Sequence, residues 1–187
     1  MVQARKADPK APRSKAFGRF FDDGTVAPGM THRKPAESPG DLARALAPGA
    51  RLLGLDVGTK TIGVALSDTG RTIASPHSTI RRRKFAHDAE ALAGIFAANG
   101  VGGIVVGLPV NMNGSEGPRC QSVRQFAANI TARLAIDVAF WDERLSTVAA
   151  ERTLIDADLS RKRRAKVIDK VAAAYILQGA LDSLNRA

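Results

Sequence analysis

Residues 52–68, LLGLDVGTKTIGVALSD, predict two β-strands joined by a tight turn. Two apolar runs of strand length, 52–55 and 62–66, flank the polar turn. Asp56 follows the first run, so a strand would hold its carboxylate rigidly at the end of a sheet. Gly63 leaves room for a ligand or another backbone to approach the second strand. The arrangement suits a hard cation such as Mg²⁺. The alternative is an Asp and a Gly that only shape the turn.

The charge balance points to a polyanionic partner. The 187 residues include 28 Lys and Arg against 18 Asp and Glu, a formal net charge of +10. Such a surplus favours nucleic acid first and an anionic membrane surface second. No apolar run reaches the length of a transmembrane helix, and the N-terminus lacks the apolar core of a secretory signal. The single cysteine, Cys120, fits a reducing cytosol, so we expect a cytoplasmic protein without membrane contact.

The first 49 residues differ from the rest of the chain. Six of the nine prolines lie here, and hydrophobic periodicity is absent. We therefore predict a disordered, basic and Pro-rich tail over 1–49 and a folded domain over 50–187. Deleting the tail should leave thermal stability nearly unchanged. Within it, residues 17–21 form an aromatic cluster that could dock on the domain. Residues 41–46 predict a short helix with Asp41 as its N-cap.

Strands and helices alternate after the opening hairpin. A third strand over 72–80 contains Pro76, which places it at an edge or a bulge. The continuous apolar run 102–108 is typical of a strand buried on both faces of a parallel sheet. We predict an α/β fold with a mixed five-stranded sheet, in which an antiparallel three-stranded meander joins parallel strands flanked by helices. Periodicity and stop signals give a fifth strand over 136–141 and helices over 85–99, 121–134, 146–155 and 168–184.

Acidic residues stand at the ends of three predicted elements. Asp56 ends the first strand, Asp142 and Glu143 follow the fifth, and Asp169 opens the last helix. Carboxylates gathered from separate elements repel one another unless cations lie between them. Two divalent ions can activate water and stabilise the leaving oxygen of a phosphodiester. Each acid also has a simpler explanation: Asp169 would complement the helix dipole, and Glu143 would pair with Arg144 on the surface.

Two basic runs lie within the predicted domain. Residues 81–84 follow the third strand, either as a solvated connector or as a phosphate contact. Residues 161–166 come directly before Asp169, so a nucleic-acid strand held there would pass the acids; the alternative is a solvated loop. The residues that we expect to contact phosphates are Lys60, Arg144, Arg161, Lys162, Arg163, Arg164 and Lys166.

Four motifs occur in order along residues 50–184: GLDVGTKTIGVALSD, VVGLPVNMNGSEG, DERLST and IDKVAAAYILQ. Together they resemble the YqgF/RuvX family, which is similar to the RuvC Holliday junction resolvases and has an RNase H-like fold. The resemblance implies a two-metal nuclease that hydrolyses phosphodiester bonds of structured nucleic acid with Mg²⁺ or Mn²⁺. It also implies that the catalytic, metal-binding carboxylates are Asp56, Glu143 and Asp169, with Asp142 as a further metal ligand beside Glu143.

The resemblance implies two alternative substrates. One is pre-16S rRNA, cleaved during 5′-end maturation in ribosome biogenesis, with ribosomal precursor particles as partners. The other is branched DNA, resolved at a Holliday junction. We expect the protein to act as a monomer or as a homodimer. Residues 107–109 and the loop 111–117 would line the site. RuvC-type enzymes carry an acid just after the fourth strand, whereas here that strand ends in Leu108 and Pro109. The second acid must therefore follow the fifth strand, as Asp142 or Glu143.

Two other functional classes share parts of this pattern. DVGTKTIGVA also resembles the phosphate-binding hairpin of actin-like ATPases, but those proteins need two such lobes and residues 50–187 suffice for one. A non-catalytic nucleic-acid-binding module would carry the same positive charge. Cleavage that depends on a divalent metal separates a nuclease from such a module.

Overall fold

The computed structural model describes residue 36, residues 38–145 and residues 161–184, the last with backbone alone for 161–168. The chain divides into two units, Met1–Thr31 and His32–Ala187, and every described residue belongs to the second. The aromatic cluster at 17–21 and the helix expected over 146–155 lie outside the described residues. Among the helices described, none is long and apolar enough to cross a lipid bilayer.

A mixed five-stranded sheet forms the centre of the folded unit. Its strands stand in the order β3-β2-β1-β4-β5. The first three form an antiparallel meander, and β4 runs parallel to both β1 and β5. This topology confirms the predicted mixed sheet and RNase H-like fold. The strands are β1 (Arg51–Val57), β2 (Thr61–Ser67), β3 (Ala74–Arg81), β4 (Val101–Leu108) and β5 (Asp137–Asp142).

Helices cover both faces of this sheet. Those described are α1 (Pro39–Ala45), α2 (Phe85–Asn99), α3 (Pro118–Leu134) and α4 (Arg161–Leu184), and a 3₁₀ turn (Glu143–Leu145) follows β5. Large side chains such as Leu53 and Leu55 form one core with α2 and α3. Leu52 and Val105 form the other core with α1 and α4. Successive side chains along each strand point to opposite faces of the sheet and therefore belong to two separate cores.

Small residues on one face of the sheet let α4 approach the strands closely. A Cβ added to Gly54 would lie 2.8 Å from the carbonyl oxygen of Ala173 and 2.6 Å from Cβ of Leu177. The facing surface of α4 is also small, because Ala172, Ala173 and Ala180 are buried there. Backbone thus packs nearly against backbone, which fixes the position of α4 along the sheet.

The predicted third strand begins two residues too early. Oδ1 of Asp68 accepts hydrogen bonds from the backbone N–H groups of Thr72 (2.7 Å) and Ile73 (2.9 Å), which holds both residues in the β2–β3 turn. These bonds lower the pKa of Asp68 to about 2, because they stabilise its charged form. The prediction for Pro76 is confirmed twice, since β3 is an edge strand and its register with β2 shifts beside that residue.

Two helices begin earlier than predicted. Pro118 opens α3, where its missing N–H costs nothing. Helix α4 begins at Arg161 rather than at residue 168, so the basic run 161–166 is helical and the expectation of a loop is wrong. Arg and Lys are good helix formers, but a run of them has no apolar stripe to reveal the helix.

The folded unit begins before residue 50. Ser38, not Asp41, is the N-cap of α1, because its Oγ accepts a hydrogen bond from the backbone N–H of Asp41 (3.1 Å). Leu42 is 2% exposed and packs against Gly103. A Cβ added to Gly103 would lie 3.0 Å from the Leu42 side chain. Ala36 pairs with the edge of β5. The predicted boundary at residue 50 is therefore too late, since α1 belongs to the folded unit.

Candidate functional site

The carboxyl ends of β1, β4 and β5 meet at one edge of the sheet, which we call the carboxyl edge. β2 runs antiparallel to both β1 and β3, so β3 has the same direction as β1, and the β1–β2 turn and the end of β3 lie at this edge too. Asp56, Glu143, Arg144 and the two connecting segments 82–84 and 109–117 therefore come together at the carboxyl edge.

Asp56 lies on the face of the sheet covered by α4. It is 6% exposed and stands directly opposite Gly63 in the β1–β2 pair, so both residues point to the same face. A Cβ added to Gly63 would overlap the carbonyl oxygen of Asp169. The space at Gly63 is thus filled by the backbone of α4 rather than by a ligand. This contact between α4 and Gly63 brings Asp169 next to Asp56.

Glu143 reaches over β4 toward Asp56. Its Oε1 lies 2.8 Å from the position that a Cβ on Gly107 would take. Leu55 is the register partner of Val106, so the next residues, Asp56 and Gly107, lie side by side on strands ~4.8 Å apart. Cδ1 of Ile176 lies 2.5 Å from the same position, so Ile176 and the Glu143 carboxylate together fill the space that a side chain at position 107 would need.

The three acids therefore lie over three neighbouring strands. Asp169 is above β2, Asp56 is on β1, and the Glu143 carboxylate is above β4. Asp169 and Glu143 are half-buried. Within the described part of the chain, no three acidic, His or Cys side chains are already drawn together as a closed ligand shell. The structure brings the acids to one face of the sheet and to its carboxyl edge.

Asp142 is engaged differently from Glu143. Its Oδ2 accepts hydrogen bonds from Nη2 (2.6 Å) and Nε (3.0 Å) of Arg144, and its Oδ1 accepts one from the Arg144 backbone N–H (2.9 Å). The bound guanidinium lowers the pKa of Asp142. Arg144 thus forms its ion pair with Asp142, whereas the simpler explanation of Glu143 had assigned Arg144 to Glu143.

The loop 109–117 after β4 is held in shape by its own polar groups. Asn111 and Ser115 are joined by a backbone hydrogen bond (3.0 Å) and a side-chain hydrogen bond (3.0 Å). Arg124 of α3 forms a two-pronged ion pair with Glu116 and lies over the ring of Phe140, 4.7 Å from its centroid. The sequence gives no signal for Arg124, because its partners come from a loop and a strand that only the fold brings together.

The predicted phosphate-binding residues occupy three places around this edge. Lys60 is exposed in the β1–β2 turn, and Arg144 is exposed beside the loop, with Nη1 3.7 Å from the position of a Cβ on Gly114. The remaining five belong to the first two turns of α4, before Asp169: Arg161, Lys162, Arg163, Arg164 and Lys166.

Known proteins resemble this chain over most of the folded unit. The profile of the RuvX family, described as Holliday junction resolvase, matches residues 50–183. A protein of Paramagnetospirillum magneticum named "Putative pre-16S rRNA nuclease" is 61% identical over 149 residues, which cover 80% of this chain and 96% of the relative. A Ruegeria pomeroyi protein of the same name is 60% identical over 149 residues, which cover 80% of this chain and 97% of the relative.

Among solved structures, the chain is similar to T. thermophilus RuvC in complex with Holliday junction substrate. The likeness has 10% sequence identity and a TM-score of 0.47, and it covers 71% of this chain and 94% of that one. The sequence itself shows the kinship, because the family profile spans residues 50–183, which include Asp56, Glu143 and Asp169, and both relatives are at least 60% identical over 149 residues. The chain therefore belongs to the RuvX family.

Proposed function

We propose that this chain is a metal-dependent endonuclease that hydrolyses phosphodiester bonds in structured nucleic acid, with Asp56, Glu143 and Asp169 as its catalytic carboxylates. One observation carries the proposal. Carboxylate residues from three separate elements meet over three adjacent strands, and glycines at 63 and 107 make the room for them. Family membership supports the same reaction class, since the relatives are named as nucleases.

The donor set fits a hard divalent cation. Asp56, Glu143 and Asp169 offer only carboxylate oxygens, which Mg²⁺ and Mn²⁺ prefer. Glycine at position 107 suits this donor set, because a Cβ there would lie 2.8 Å from Oε1 of Glu143 and would displace that carboxylate. A cation held by the three carboxylates would supply Lewis-acid polarisation of the phosphate and a water of lowered pKa. These three residues are the proposed ligands, and Asp142 is assigned to hold Arg144 instead.

The protein's own groups would bind and orient the substrate. β1 fixes the Asp56 carboxylate rigidly, and the close packing of α4 fixes Asp169 beside it. Asp142 holds Arg144 at the edge of the site, where a guanidinium suits two-pronged contact with a phosphate. Lys60 and the basic residues of the first turns of α4 would hold flanking phosphates as point charges.

The proposed substrate is pre-16S rRNA, cut during maturation of its 5′ end, because the relatives with about 60% identity carry that name. Ribosomal precursor particles are then the proposed partners, with the enzyme acting as a monomer or homodimer. Branched DNA is the second candidate, favoured by the description of the matching family as Holliday junction resolvase. Both substrates present bent or branched backbone to the carboxyl edge.

A cleavage assay with both substrates tests the proposal. The full chain is incubated with a pre-16S rRNA fragment and with a four-way DNA junction, each with and without Mn²⁺. We expect cleavage of one or both only with Mn²⁺ and none by the Asp56→Asn variant, which is nearly isosteric but lacks the charge that holds a cation. Its melting temperature should match the wild type.

Asp182→Asn is the matched control. It makes the same chemical change on α4, but at an exposed position bonded to Gln178, away from the carboxyl edge. We expect full cleavage from this variant. Undiminished activity in purified Asp56→Asn protein would show that Asp56 is not a catalytic residue. Cleavage that persists when a chelator is added would show that the reaction does not depend on a metal.

A further inference from the structure

The basic connector 81–84 lies at the carboxyl edge, on the opposite side of Asp56 from Arg144. Arg81 ends β3 and pairs with Thr61, and the backbone N–H of Arg82 donates to the carbonyl of Lys60 (2.9 Å). The fold thus joins two parts of the chain that are 20 residues apart into one cluster of cations. We call it the β3 cation cluster: Lys60, Arg81, Arg83 and Lys84.

Arg81 lies on the same face of the sheet as the acids. Register pairs share a face in an antiparallel ladder, and Thr61–Arg81 is two residues along from Gly63–Thr79. Gly63 is the residue that contacts Asp169 and faces Asp56. Arg81 is two strands away from Asp56, a lateral distance of ~10 Å. A backbone that crosses the proposed cleavage position would pass within reach of its side chain.

The side chain of Arg82 anchors the connector to the rest of the fold. Its Nη1 donates to the carbonyl of Gly58 (2.8 Å), its Nε lies 3.6 Å from the buried Asp88 carboxylate, and its guanidinium lies over the ring of Phe126 at 5.3 Å. These contacts tie the connector to the β1–β2 turn and to α2 and α3. The neighbouring cations are consequently displayed from a fixed backbone rather than from a loose loop.

The four members of the β3 cation cluster are exposed, and within the described residues none of them forms an ion pair with a carboxylate. Lys84 is also the N-cap of α2, with no side-chain cap hydrogen bond. Cations at a helix N-terminus oppose the helix dipole and cost stability. Asp88, buried in the first turn of α2, accepts a hydrogen bond from the backbone N–H of Arg83 and faces Arg82, whereas the exposed side chains of the cluster add positive potential at the surface and favour an anionic partner.

We propose that the β3 cation cluster binds the phosphate backbone of the substrate on one flank of the carboxylates, while Arg144 binds the other flank. The inference rests on the proposed function for the identity of the partner. β3 and β5 are the outer strands, four strand spacings apart, which is ~19 Å or the axial length of about five to six nucleotides. The backbone then crosses the strands, with Asp56 midway.

A salt-dependence experiment tests the cluster separately from catalysis. Binding of the full chain to a labelled four-way DNA junction and to a labelled RNA hairpin is measured by anisotropy over a series of KCl concentrations. The Asp56→Asn background prevents cleavage. For Arg81→Gln/Arg83→Gln we expect weaker binding to both probes and a log–log salt slope flatter by ~1.4 to 1.8, since each lost phosphate contact removes ~0.7 to 0.9. Arg82 is left in place, so the melting temperature should not change.

Arg44→Gln/Arg51→Gln is the charge-matched control. Arg51 starts β1 and Arg44 belongs to α1, both at the opposite edge of the sheet. This variant should keep the wild-type slope, and Arg81→Lys/Arg83→Lys should restore it, because point charges suffice for counterion release. An unchanged slope in the Gln variant, or an equal change in the control, overturns the inference. Cleavage by the wild type with Mn²⁺ is measured separately. A flattened slope in the Gln variant without any cleavage by the wild type would support phosphate binding by the cluster but contradict the proposed nuclease activity.

Discussion

Asp142 and Glu143 are adjacent in sequence, but their carboxylates have different surroundings. Arg144 holds the Asp142 carboxylate, whereas Oε1 of Glu143 lies above Gly107 beside Asp56. We expect Glu143→Gln to lose metal-dependent cleavage. Asp142→Asn should lower the rate by only about 10–100-fold, the usual effect of a residue that orients a neighbour rather than binding the metal. Single-turnover cleavage rates over a range of Mn²⁺ concentrations measure both effects.

The Mn²⁺ dependence supplies the control for this pair. Loss of a ligand should raise the Mn²⁺ concentration needed for half-maximal rate, and loss of an Arg144 partner should leave it nearly unchanged. If Asp142→Asn abolished cleavage while Glu143→Gln retained it, Asp142 would be the metal ligand and Glu143 would not. Their neighbouring positions in the sequence could not decide this, because Gly107, which lies beside the Glu143 carboxylate, is brought there only by the fold.

At the scale of elements, the contact between α4 and β2 fixes the position of Asp169. A Cβ at Gly63 would overlap the Asp169 carbonyl oxygen, which is backbone and cannot rotate away. We expect Gly63→Ala to destabilise the fold by about 1–3 kcal/mol through overpacking, a fall of roughly 2–4 °C in melting temperature per kcal/mol. Cleavage at temperatures where the variant is still folded should fall as well, because Asp169 must move.

Gly94→Ala is the matched control for that change. Gly94 is exposed in the middle of α2, and an added Cβ would have no heavy atom within 4 Å. Ala is a better helix former than Gly by about 1 kcal/mol, so this variant should be slightly more stable and fully active. A Gly63→Ala protein with wild-type stability and activity would show that α4 is not held by this contact.

The first two turns of α4 carry five of the predicted phosphate-binding residues. Arg163 and Arg164 precede Asp169 on a continuous helix. Neutralising both should weaken binding of different sequences about equally and flatten the log–log salt slope by roughly one to two units. Anisotropy titrations against two unrelated probes check this. An unchanged slope would remove this part of α4 from the binding surface, and a loss confined to one sequence would indicate base readout instead.

The elements that the sequence predicts best are those with local signals. The continuous apolar runs of β1, β2 and β4 and the periodicity of α2 with its Gly100 stop give bounds that match the structure within about one residue. The signals fail where the deciding contact is distant in sequence. Gly63 reads equally as a ligand cavity or a backbone contact until Asp169, more than 100 residues later, is placed on it. Asp56 and Glu143 could be chosen from element ends, but the prediction that Asp169 opens the last helix is wrong, since it lies inside α4, and the shared face of the three acids depends on strand register.

At the scale of the molecule, the folded unit is larger than the segment that matches the family. The family profile begins at residue 50. Helix α1 precedes that residue in the sequence, yet it packs against β5, the N-terminal end of β4 and α4. The composition of residues 1–49 suggests one uniform tail because prolines and basic residues are spread along it. One buried leucine in a seven-residue helix is too weak a pattern to stand out in such a background.

Two deletions separate α1 from the residues before it. Removal of residues 1–35 keeps α1, and removal of 1–48 takes away Leu42, which fills the space over Gly103. Loss of a buried leucine costs about 2–5 kcal/mol, so the longer deletion should melt several degrees lower than the shorter one. Calorimetry measures the difference, and Leu42→Ala in the full chain should reproduce most of it. Cleavage should survive in both deletions at low temperature, because α1 lies at the opposite edge from Asp56. Equal melting temperatures for the two deletions would show that α1 adds nothing to the stability of the domain.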